Sequence, residues 1–426
     1  MPIVTQILSQ MSALSLPQRK SVSHLLSLWP CVRGRFNFLN LSRYSSYCER
    51  TLRRQFAAAF DWGAFNAAWI SRCVPASHHL ILAYDHSFVA KSGKHTPGLS
   101  WFYNGCAGRT EKGLELALVA VVDLDKNTAY ALHAKQTLPK TETKTETKTE
   151  TKTETKTETK TECKDLKHLQ ESKPNWPLGV KHLAADGAFA RRPFVDGVCA
   201  LELEFVGKLR HNANVRYLFT GKQSGRGRPK LYDGKVTWSD FDPTRWKDEG
   251  QLEKGVELYS ATLFHVSLKR NIKVVLLRKS ASASASASAS ASASASASAS
   301  GAKGQVLLFS TDLGLSGREI VRMYRARFQI EFLFRDAKSG AGLTQCQSRN
   351  KESLHFHWNA AFAALNLAKT PQTASAPARF SWASTRQKHA NQHFLRFFSA
   401  QLDLDWNLIK THPNFQALSN YGVIQP

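Results

Sequence analysis

SGREIVRMYRARFQIEFLFRDAK, residues 316–338, predicts one long helix, because no Pro or Gly follows Gly317. Ser316 and Glu319 have the spacing of a capping box, which marks where such a helix begins. Glu331 lies farther along, within the otherwise apolar stretch IEFLF. Because an unpaired charge is costly in apolar surroundings, we expect Glu331 to have a cation or a metal ion as its partner.

Four polar side chains of this helix are predicted to form one stripe. They are Tyr324, Arg327, Glu331 and Lys338, spaced i, i+3, i+7 and i+14. At about 100° per residue, all four fall within an arc of about 60°. Such a stripe suits a metal-binding acid flanked by cations for phosphate groups. The alternative is an amphipathic helix in which Arg327 and Glu331 form a routine i,i+4 ion pair.

Short apolar runs ahead of this helix are typical of buried strands. They occupy residues 79–85, 114–138, 181–186 and 204–210, and the second is predicted to be two strands around a turn at 125–128. The first run ends in Asp85 and the third ends in Asp186. In a sheet, two such ends on neighbouring strands place their carboxylates side by side at one edge. Strands followed by strand–helix alternation predict an α/β core with a mixed sheet and flanking helices.

Composition divides the rest of the chain. The predicted regions are a helical N-terminal region at 1–75, the first part of the core at 76–210, a β-rich insertion at 211–312, the segment completing the core at 313–350 and a helical C-terminal region at 351–426. The first region is either a small DNA-binding module or a plain helical bundle with a basic face. The insertion includes hairpin-like strands within 256–279.

Two low-complexity tracts interrupt these regions. A Thr-Glu-Thr-Lys repeat occupies residues 140–162, and a Ser-Ala repeat occupies residues 280–300. Neither tract has side chains that can build a core, so the first is predicted to be a disordered linker and the second an enlarged hairpin loop. Loop closure costs rise slowly with length, so the fold can tolerate both.

The charge of the chain favours a polyanionic partner. Lys and Arg number 58 against 33 Asp and Glu, a formal net charge of +25. Nucleic acid is the commonest such partner, because each phosphate contact releases counterions; the alternative is a merely basic soluble protein. The seven Cys form no CxxC pair, which disfavours a disulfide framework or a zinc finger and fits a reducing cytoplasm. No run approaches the roughly 18 apolar residues of a membrane span, so no membrane partner is predicted.

Several short motifs allow two interpretations each. Arg226 and Arg228, in GRGRPK, could enter a narrow A·T minor groove or make general phosphate contacts. Lys91 and Lys94 are candidate phosphate contacts or part of a solvated loop. The aromatic triplet at 101–103 could stack on an unpaired base or belong to the core.

The stripe also resembles a known signature. Tyr-x2-Arg-x3-Glu-x6-Lys is typical of the DDE transposases of the insertion-sequence-four family, and this sequence matches all four positions. AYDHSFVAKSGK (83–94) resembles the first Asp block of that family, and LAADGAF (183–189) resembles the second. The resemblance covers roughly residues 40–425 apart from the two repeats. Phe328 stands where family members often carry Trp.

The resemblance implies an RNase-H-like catalytic core with a β insertion before the helix that carries the Glu. It implies that Asp85, Asp186 and Glu331 are catalytic and bind two Mg²⁺ ions, with Mn²⁺ as a substitute. Two such ions can activate a nucleophile and stabilise a leaving oxygen. Tyr324, Arg327 and Lys338 would contact the transposon end.

The expected partners are double-stranded DNA, as transposon ends and target, and a second copy in a homodimeric synaptic complex. The expected location is a bacterial cytoplasm, associated with the nucleoid. Two alternatives remain open at this point. One is an inactive, transposase-derived DNA-binding protein, and the other is an RNase-H-like nuclease without strand transfer.

Overall fold

The computed structural model of the chain describes residues 2–138, 164–223, 225, 227–238, 241–279, 304–370 and 380–424. Both repeat tracts, predicted to be a linker and a hairpin loop, lie outside these residues, and so does Arg226.

One mixed sheet with helices on both faces organises the described residues. The strands are β1 (Leu80–Ala90), β2 (Ser100–Asn104), β3 (Arg109–Asp123), β4 (Thr128–Thr137), β5 (His182–Ala185), β6 (Glu204–Lys208), β7 (Val215–Leu218), β8 (Tyr232–Lys235), β9 (Lys247–Glu253), β10 (Val256–His265), β11 (Arg270–Lys279) and β12 (Gln305–Ser310). The helices are α1 (Pro2–Gln10), α2 (Leu16–Leu28), α3 (Phe38–Arg43), α4 (Glu49–Phe56), α5 (Trp62–Cys73), α6 (Lys164–Ser172), α7 (Arg192–Ala200), α8 (Gly317–Arg327), α9 (Gln329–Ser339), α10 (Lys351–Ala368), α11 (Trp382–Gln401), α12 (Trp406–Thr411) and α13 (Phe415–Ser419).

The sheet has twelve strands in the order β2-β3-β1-β5-β6-β12-β11-β10-β7-β8, with β4 also paired to β3 and β9 to β10. β1, β3 and β4 form an antiparallel meander, and β1, β5 and β6 pair in parallel. Helix α7 makes the crossover between β5 and β6, which parallel neighbours require. This arrangement confirms the predicted α/β class with an RNase-H-like mixed sheet.

The predicted β-rich insertion continues this sheet. Its last strand, β12, pairs antiparallel with β6, and β12 then pairs with β11. β10 and β11 form the hairpin expected from the sequence. The insertion is therefore joined to the core by strand pairing. The domain boundaries themselves stay predictions.

Both ends of the chain are helical, as expected, and they pack together. Trp62 of α5 contacts Phe356 of α10 with ring centroids 5.0 Å apart. The indole of Trp29 donates a 3.0 Å hydrogen bond to the carbonyl of Ala341, just after α9. The N-terminal helices are thus attached to the elements that follow the predicted catalytic helix. No helix in the described ranges is long and apolar enough to cross a membrane.

Buried asparagines fasten α10 to the edge of the meander. The Asn359 side chain accepts a 2.9 Å hydrogen bond from the N–H of Ala134 and donates one of 2.9 Å to its carbonyl. Asn366 makes the same pair of bonds to Ala131, at 3.0 and 2.7 Å. Each amide satisfies two main-chain groups of β4 that would otherwise be buried without partners.

Two sequence predictions about local structure are wrong. The strand predicted to end at Asp85 continues to Ala90, because its pairing with β3 extends to Gly113. The helix predicted to run unbroken to Lys338 is divided at Phe328 into α8 and α9. There the N–H of Phe328 bonds to Arg325 and the N–H of Glu331 bonds to Phe328, so tighter turns replace the regular helical bonds. The capping box at Ser316 is confirmed.

Candidate active site

Strand pairing brings Asp85 and Asp186 together. The last parallel pair between β1 and β5 joins Tyr84 to Ala185. Asp85 and Asp186 are each the next residue along, and neighbouring strands lie about 4.8 Å apart. The two predicted acids therefore stand side by side, as expected from the sequence, although Asp85 lies inside its strand.

Arg327 connects the first and third acids. Its Nη1 lies 3.6 Å from Asp85 Oδ2, and its Nη2 lies 3.1 Å from Glu331 Oε1. The guanidinium is buried, with 9% of the Arg327 side chain exposed, while Asp85 is 22% and Glu331 38% exposed. Arg327 is thus the cation expected beside Glu331. It serves Asp85 as well, which the simple i,i+4 interpretation does not include.

Burial and the neighbouring charges both act on the ionisation of these acids. Burial raises the pKa of the Asp85 carboxyl, the charge of Arg327 opposes the rise, and the charge of Asp186 adds to it. Burial also raises the pKa of Glu331, against Arg327 and with contributions from Asp85 and Asp186. The three carboxylates therefore act on one another, and ionising all of them favours an additional cation.

Tyr324 joins the same group from α8. Its hydroxyl donates a 3.4 Å hydrogen bond to Asp186 Oδ1, and the Arg327 guanidinium carbon lies 5.5 Å from its ring centroid. Burial raises the pKa of the Tyr324 phenol to about 12, so it is a neutral donor near pH 7. Phenol, guanidinium and three carboxylates therefore share one site.

The family model described as DDE superfamily endonuclease matches residues 11–261, more than half of the chain. The chain belongs to this family. The matched range contains Asp85 and Asp186, whereas Glu331 lies beyond its end.

Among solved structures, the chain is similar to a piggyBac transposase in a cryo-EM synaptic complex with hairpin DNA. The two chains are 10% identical with a TM-score of 0.39, and the similarity covers 100% of this chain and 82% of that one. Comparison with curated proteins finds no match.

The donor set of the candidate active site suits a hard divalent cation. Asp85, Asp186 and Glu331 offer carboxylate oxygens, which such cations prefer. Burial raises the pKa values of Asp85 and Glu331, so a bound cation would favour their ionised forms. Endonucleases of the DDE type use divalent metals, so the residues present fit the group that the family implies.

Lys338, the fourth residue of the predicted stripe, lies in α9 two turns after Glu331. Burial lowers the pKa of Lys338. The charge of the Cys106 thiol, in the turn between β2 and β3, opposes this shift. Glu331 and Lys338 both follow the break at Phe328, so their seven-residue spacing keeps Lys338 on the same face of α9 as Glu331. The structure brings Tyr324, Arg327 and Glu331 together, and Lys338 lies about 10 Å farther along α9.

The other cations predicted to contact phosphates differ in their exposure and in their existing hydrogen bonds. Lys91 is half-buried, and its Nζ donates to the carbonyls of Cys346 at 2.6 Å and Ser348 at 2.9 Å. It fixes the loop after α9, so it has less capacity for a phosphate than its position in the sequence indicates. Lys94 and Arg228 are exposed.

Sequence reasoning missed a polar group directly behind Asp85. His86 points to the opposite face of β1, where its Nε2 lies 2.9 Å from Asp165 Oδ1 in α6. Tyr84 donates a 3.2 Å hydrogen bond to the same oxygen. Burial lowers the pKa of His86, but Asp165 and Glu115 outweigh it and raise the pKa overall. Asp165 follows the Thr-Glu-Thr-Lys repeat, and no local pattern pointed to it.

A second missed group lies at the other end of β1. In the described part of the chain, the one set of three His, Cys or carboxylate ligand atoms within 4.8 Å of one another belongs to His78, Asp123 and Asp125. Asp123 contacts His78 Nδ1 at 2.7 Å and accepts two backbone N–H bonds of its own turn. Asp125 pairs with Arg322 at 2.7 Å. These partners satisfy both carboxylates and hold the β3–β4 turn against β1.

Proposed function

We propose that this DDE endonuclease is a DNA transposase similar to the insertion-sequence-four family. It binds the ends of its element, cleaves a strand there and transfers that strand to target DNA. The observation that carries the proposal is the position of Arg327, buried between Asp85 and Glu331 and beside Asp186. Acids from two neighbouring strands and one helix lie around that guanidinium. A helix with only a structural role does not require such a cluster of acids.

Asp85, Asp186 and Glu331 would hold the metal ions, with Mg²⁺ as the favoured ion and Mn²⁺ as a substitute. When bound, such ions supply an activated oxygen nucleophile and stabilise the leaving oxygen of a phosphodiester. The all-oxygen donor set supports Mg²⁺ over softer metals.

Arg327 would bind a phosphate oxygen of the DNA. A guanidinium has five N–H donors in a planar fork that matches phosphate geometry. Two of its nitrogens are engaged by Asp85 and Glu331, and its buried Nε has no hydrogen-bond partner among the described residues. Arg327 therefore keeps donor capacity for a further oxygen. Tyr324 would orient Asp186 through the hydrogen bond from its hydroxyl.

The proposed DNA contacts extend over the β insertion. In the hairpin β7–β8, Arg216 lies 5.6 Å from the ring of Tyr232, and the adjoining loop contains the exposed residues Lys222 and Arg228. Arg226 and Arg228 are proposed to contact phosphates or the minor groove there, with Lys94 and Lys338 nearer the active site. The net charge of +25 supports double-stranded DNA, as element ends and target, and thereby a location on the bacterial nucleoid. A homodimer would hold the two ends together.

The test is a cleavage and joining assay on DNA that carries the ends of the element. We expect Glu331→Gln to abolish Mg²⁺-dependent cleavage while DNA binding persists. Glu352→Gln, which neutralises an exposed acid in the first turn of α10, serves as the matched control and should retain activity.

The products separate the alternatives. Joined strands support the transposase, whereas nicks without joining support a nuclease that lacks strand transfer. DNA binding by the unaltered chain with no cleavage at all would support an inactive derivative.

A further inference from the structure

Two aromatic side chains at one edge of the sheet are unusually exposed. Trp101 and Tyr103 of β2 are each 67% exposed, and the residues on either side of them in the strand are less so. In the described ranges, neither ring contacts another aromatic ring or a cation. The alternative that this aromatic triplet forms core is therefore wrong for these two rings.

The register of the sheet places both rings on the face that carries Asp85. Asp85 lies opposite Leu118 of β3, and opposed residues of an antiparallel pair point to the same face. Every second residue from Leu118 shares that face, down to Lys112. Lys112 lies opposite Trp101, and Tyr103 is the next residue of β2 on the same side.

The separation matches a short stretch of nucleic acid. From Leu118 to Lys112 is a step of six residues along β3, and β2 lies two strands from β1. At about 3.4 Å per residue and about 4.8 Å per strand, Trp101 lies roughly 22 Å from Asp85, and Tyr103, two residues farther along, lies roughly 29 Å away. These distances span about six to nine stacked nucleotides.

The charge around the rings is positive on this face. Lys112 is exposed and lies opposite Trp101. Glu111 is the sole acid between residues 100 and 113. It lies opposite Phe102, and so it points to the other face.

We propose that Trp101 and Tyr103 form a stacking platform for unpaired nucleobases of the DNA strand that enters the active site. The proposal rests on the proposed function, because it needs a DNA strand at Asp85. Base–aromatic stacking tolerates any sequence, and a nearby cation holds the backbone. The platform would receive the strand about six to nine nucleotides from the cleaved phosphate and keep its bases unpaired.

A second copy of the chain is the rival occupant, since β2 is an edge strand with unpaired main-chain groups. The charge of this face argues against a second copy, because pairing two copies would bring their positively charged Lys112 side chains toward each other.

The test compares a twelve-nucleotide oligothymidylate with a twelve-base-pair duplex, by fluorescence anisotropy on the full chain. We expect Trp101→Ala and Tyr103→Ala each to weaken oligothymidylate binding roughly tenfold and to leave duplex binding within about twofold. Trp101→Phe and Tyr103→Phe should restore most of the affinity, because they keep a ring. Tyr421→Ala removes a ring that is 78% exposed elsewhere and is the control.

Each other outcome would overturn the platform. Equal losses on both probes would make this a phosphate-contact surface, and no loss on either would remove the nucleic acid from it. A change from dimer to monomer in light scattering would identify a second copy as the occupant. These outcomes are independent of the cleavage assay with Glu331→Gln, so the platform and the proposed function can fail separately.

Discussion

The guanidinium of Arg327 lies 3.6 Å from the Asp85 carboxylate and is almost fully buried. Strand β1 supplies the acid and helix α8 supplies the base, so this contact links the helix to the sheet in addition to its buried apolar residues. The same guanidinium holds Glu331 of α9, just beyond the break at Phe328. Arg327 therefore has a structural role that can be measured without any DNA.

We expect Arg327→Ala to lower the free energy of unfolding by about 2–3 kcal/mol. The reason is that removing one partner of a buried ion pair leaves the other charge uncompensated. Denaturant unfolding measures the change. Arg335→Ala removes a guanidinium that is 63% exposed and paired with its neighbour Asp336, and it should change the stability by less than about 1 kcal/mol. Similar losses for the two variants would contradict the structural role of Arg327.

Mg²⁺ should raise the melting temperature of the unaltered chain, since an ion that binds only the folded state stabilises it. At about 100 times its Kd the gain is roughly 2.7 kcal/mol. Asp85→Asn should remove most of the gain, and Asp125→Asn, in the second acidic group, should keep it. The reverse pattern would place the ion at His78, Asp123 and Asp125 instead.

Much of this site could be predicted, because patterns of a few neighbouring residues mark its strands and the start of its helix. Asp186 follows a four-residue apolar strand, and the capping box at Ser316 marks where α8 begins. The tight turn at Phe328 could not be predicted, since the residues around it favour an unbroken helix. It follows from tertiary contacts, in which the buried Arg327 reaches two acids from the last turn of α8.

The polar group around His86 was beyond prediction for a different reason. Its partner Asp165 belongs to a helix that follows the Thr-Glu-Thr-Lys repeat, and the contact depends on how α6 packs across β1. Burial of Lys91 against the loop after α9 is likewise a property of the folded chain. Patterns along the sequence identify an acid or a cation, but not which long-range partner it will meet.

Buried histidines should make the fold sensitive to acid. His133 Nδ1 lies 3.0 Å from His168 Nε2, and His133 Nε2 lies 3.3 Å from His355. Burial lowers the pKa of His133 to about 3 and also lowers those of His168 and His355. The unfolded chain takes up these protons below about pH 6.5 and the folded chain does not.

Stability is therefore full above pH 6.5 and falls as the pH falls toward 3. From pH 8 to pH 5 we expect His133 alone to account for about 1–2 kcal/mol of the loss. Unfolding measured across this range should show a smaller loss for His133→Gln. His412 is exposed and does not belong to this group, so His412→Gln should keep the full dependence of stability on pH. A flat profile in the unaltered chain would contradict the burial of these imidazoles.

The asparagine attachment of α10 to β4 gives the last prediction. Asn366 makes two hydrogen bonds to the main chain of Ala131 and donates a third, of 3.1 Å, to Asn66. Asn366→Leu removes all three and leaves buried main-chain groups without partners, which costs about 1–3 kcal/mol for each group. We expect a loss of about 3 kcal/mol in denaturant unfolding, against less than about 0.5 kcal/mol for Asn407→Ala on the exposed helix α12. Since α10 also packs on the N-terminal helices through Phe356, the loss should appear as one cooperative transition at lower denaturant. A separate early transition would instead mean that α10 is released while the sheet stays folded.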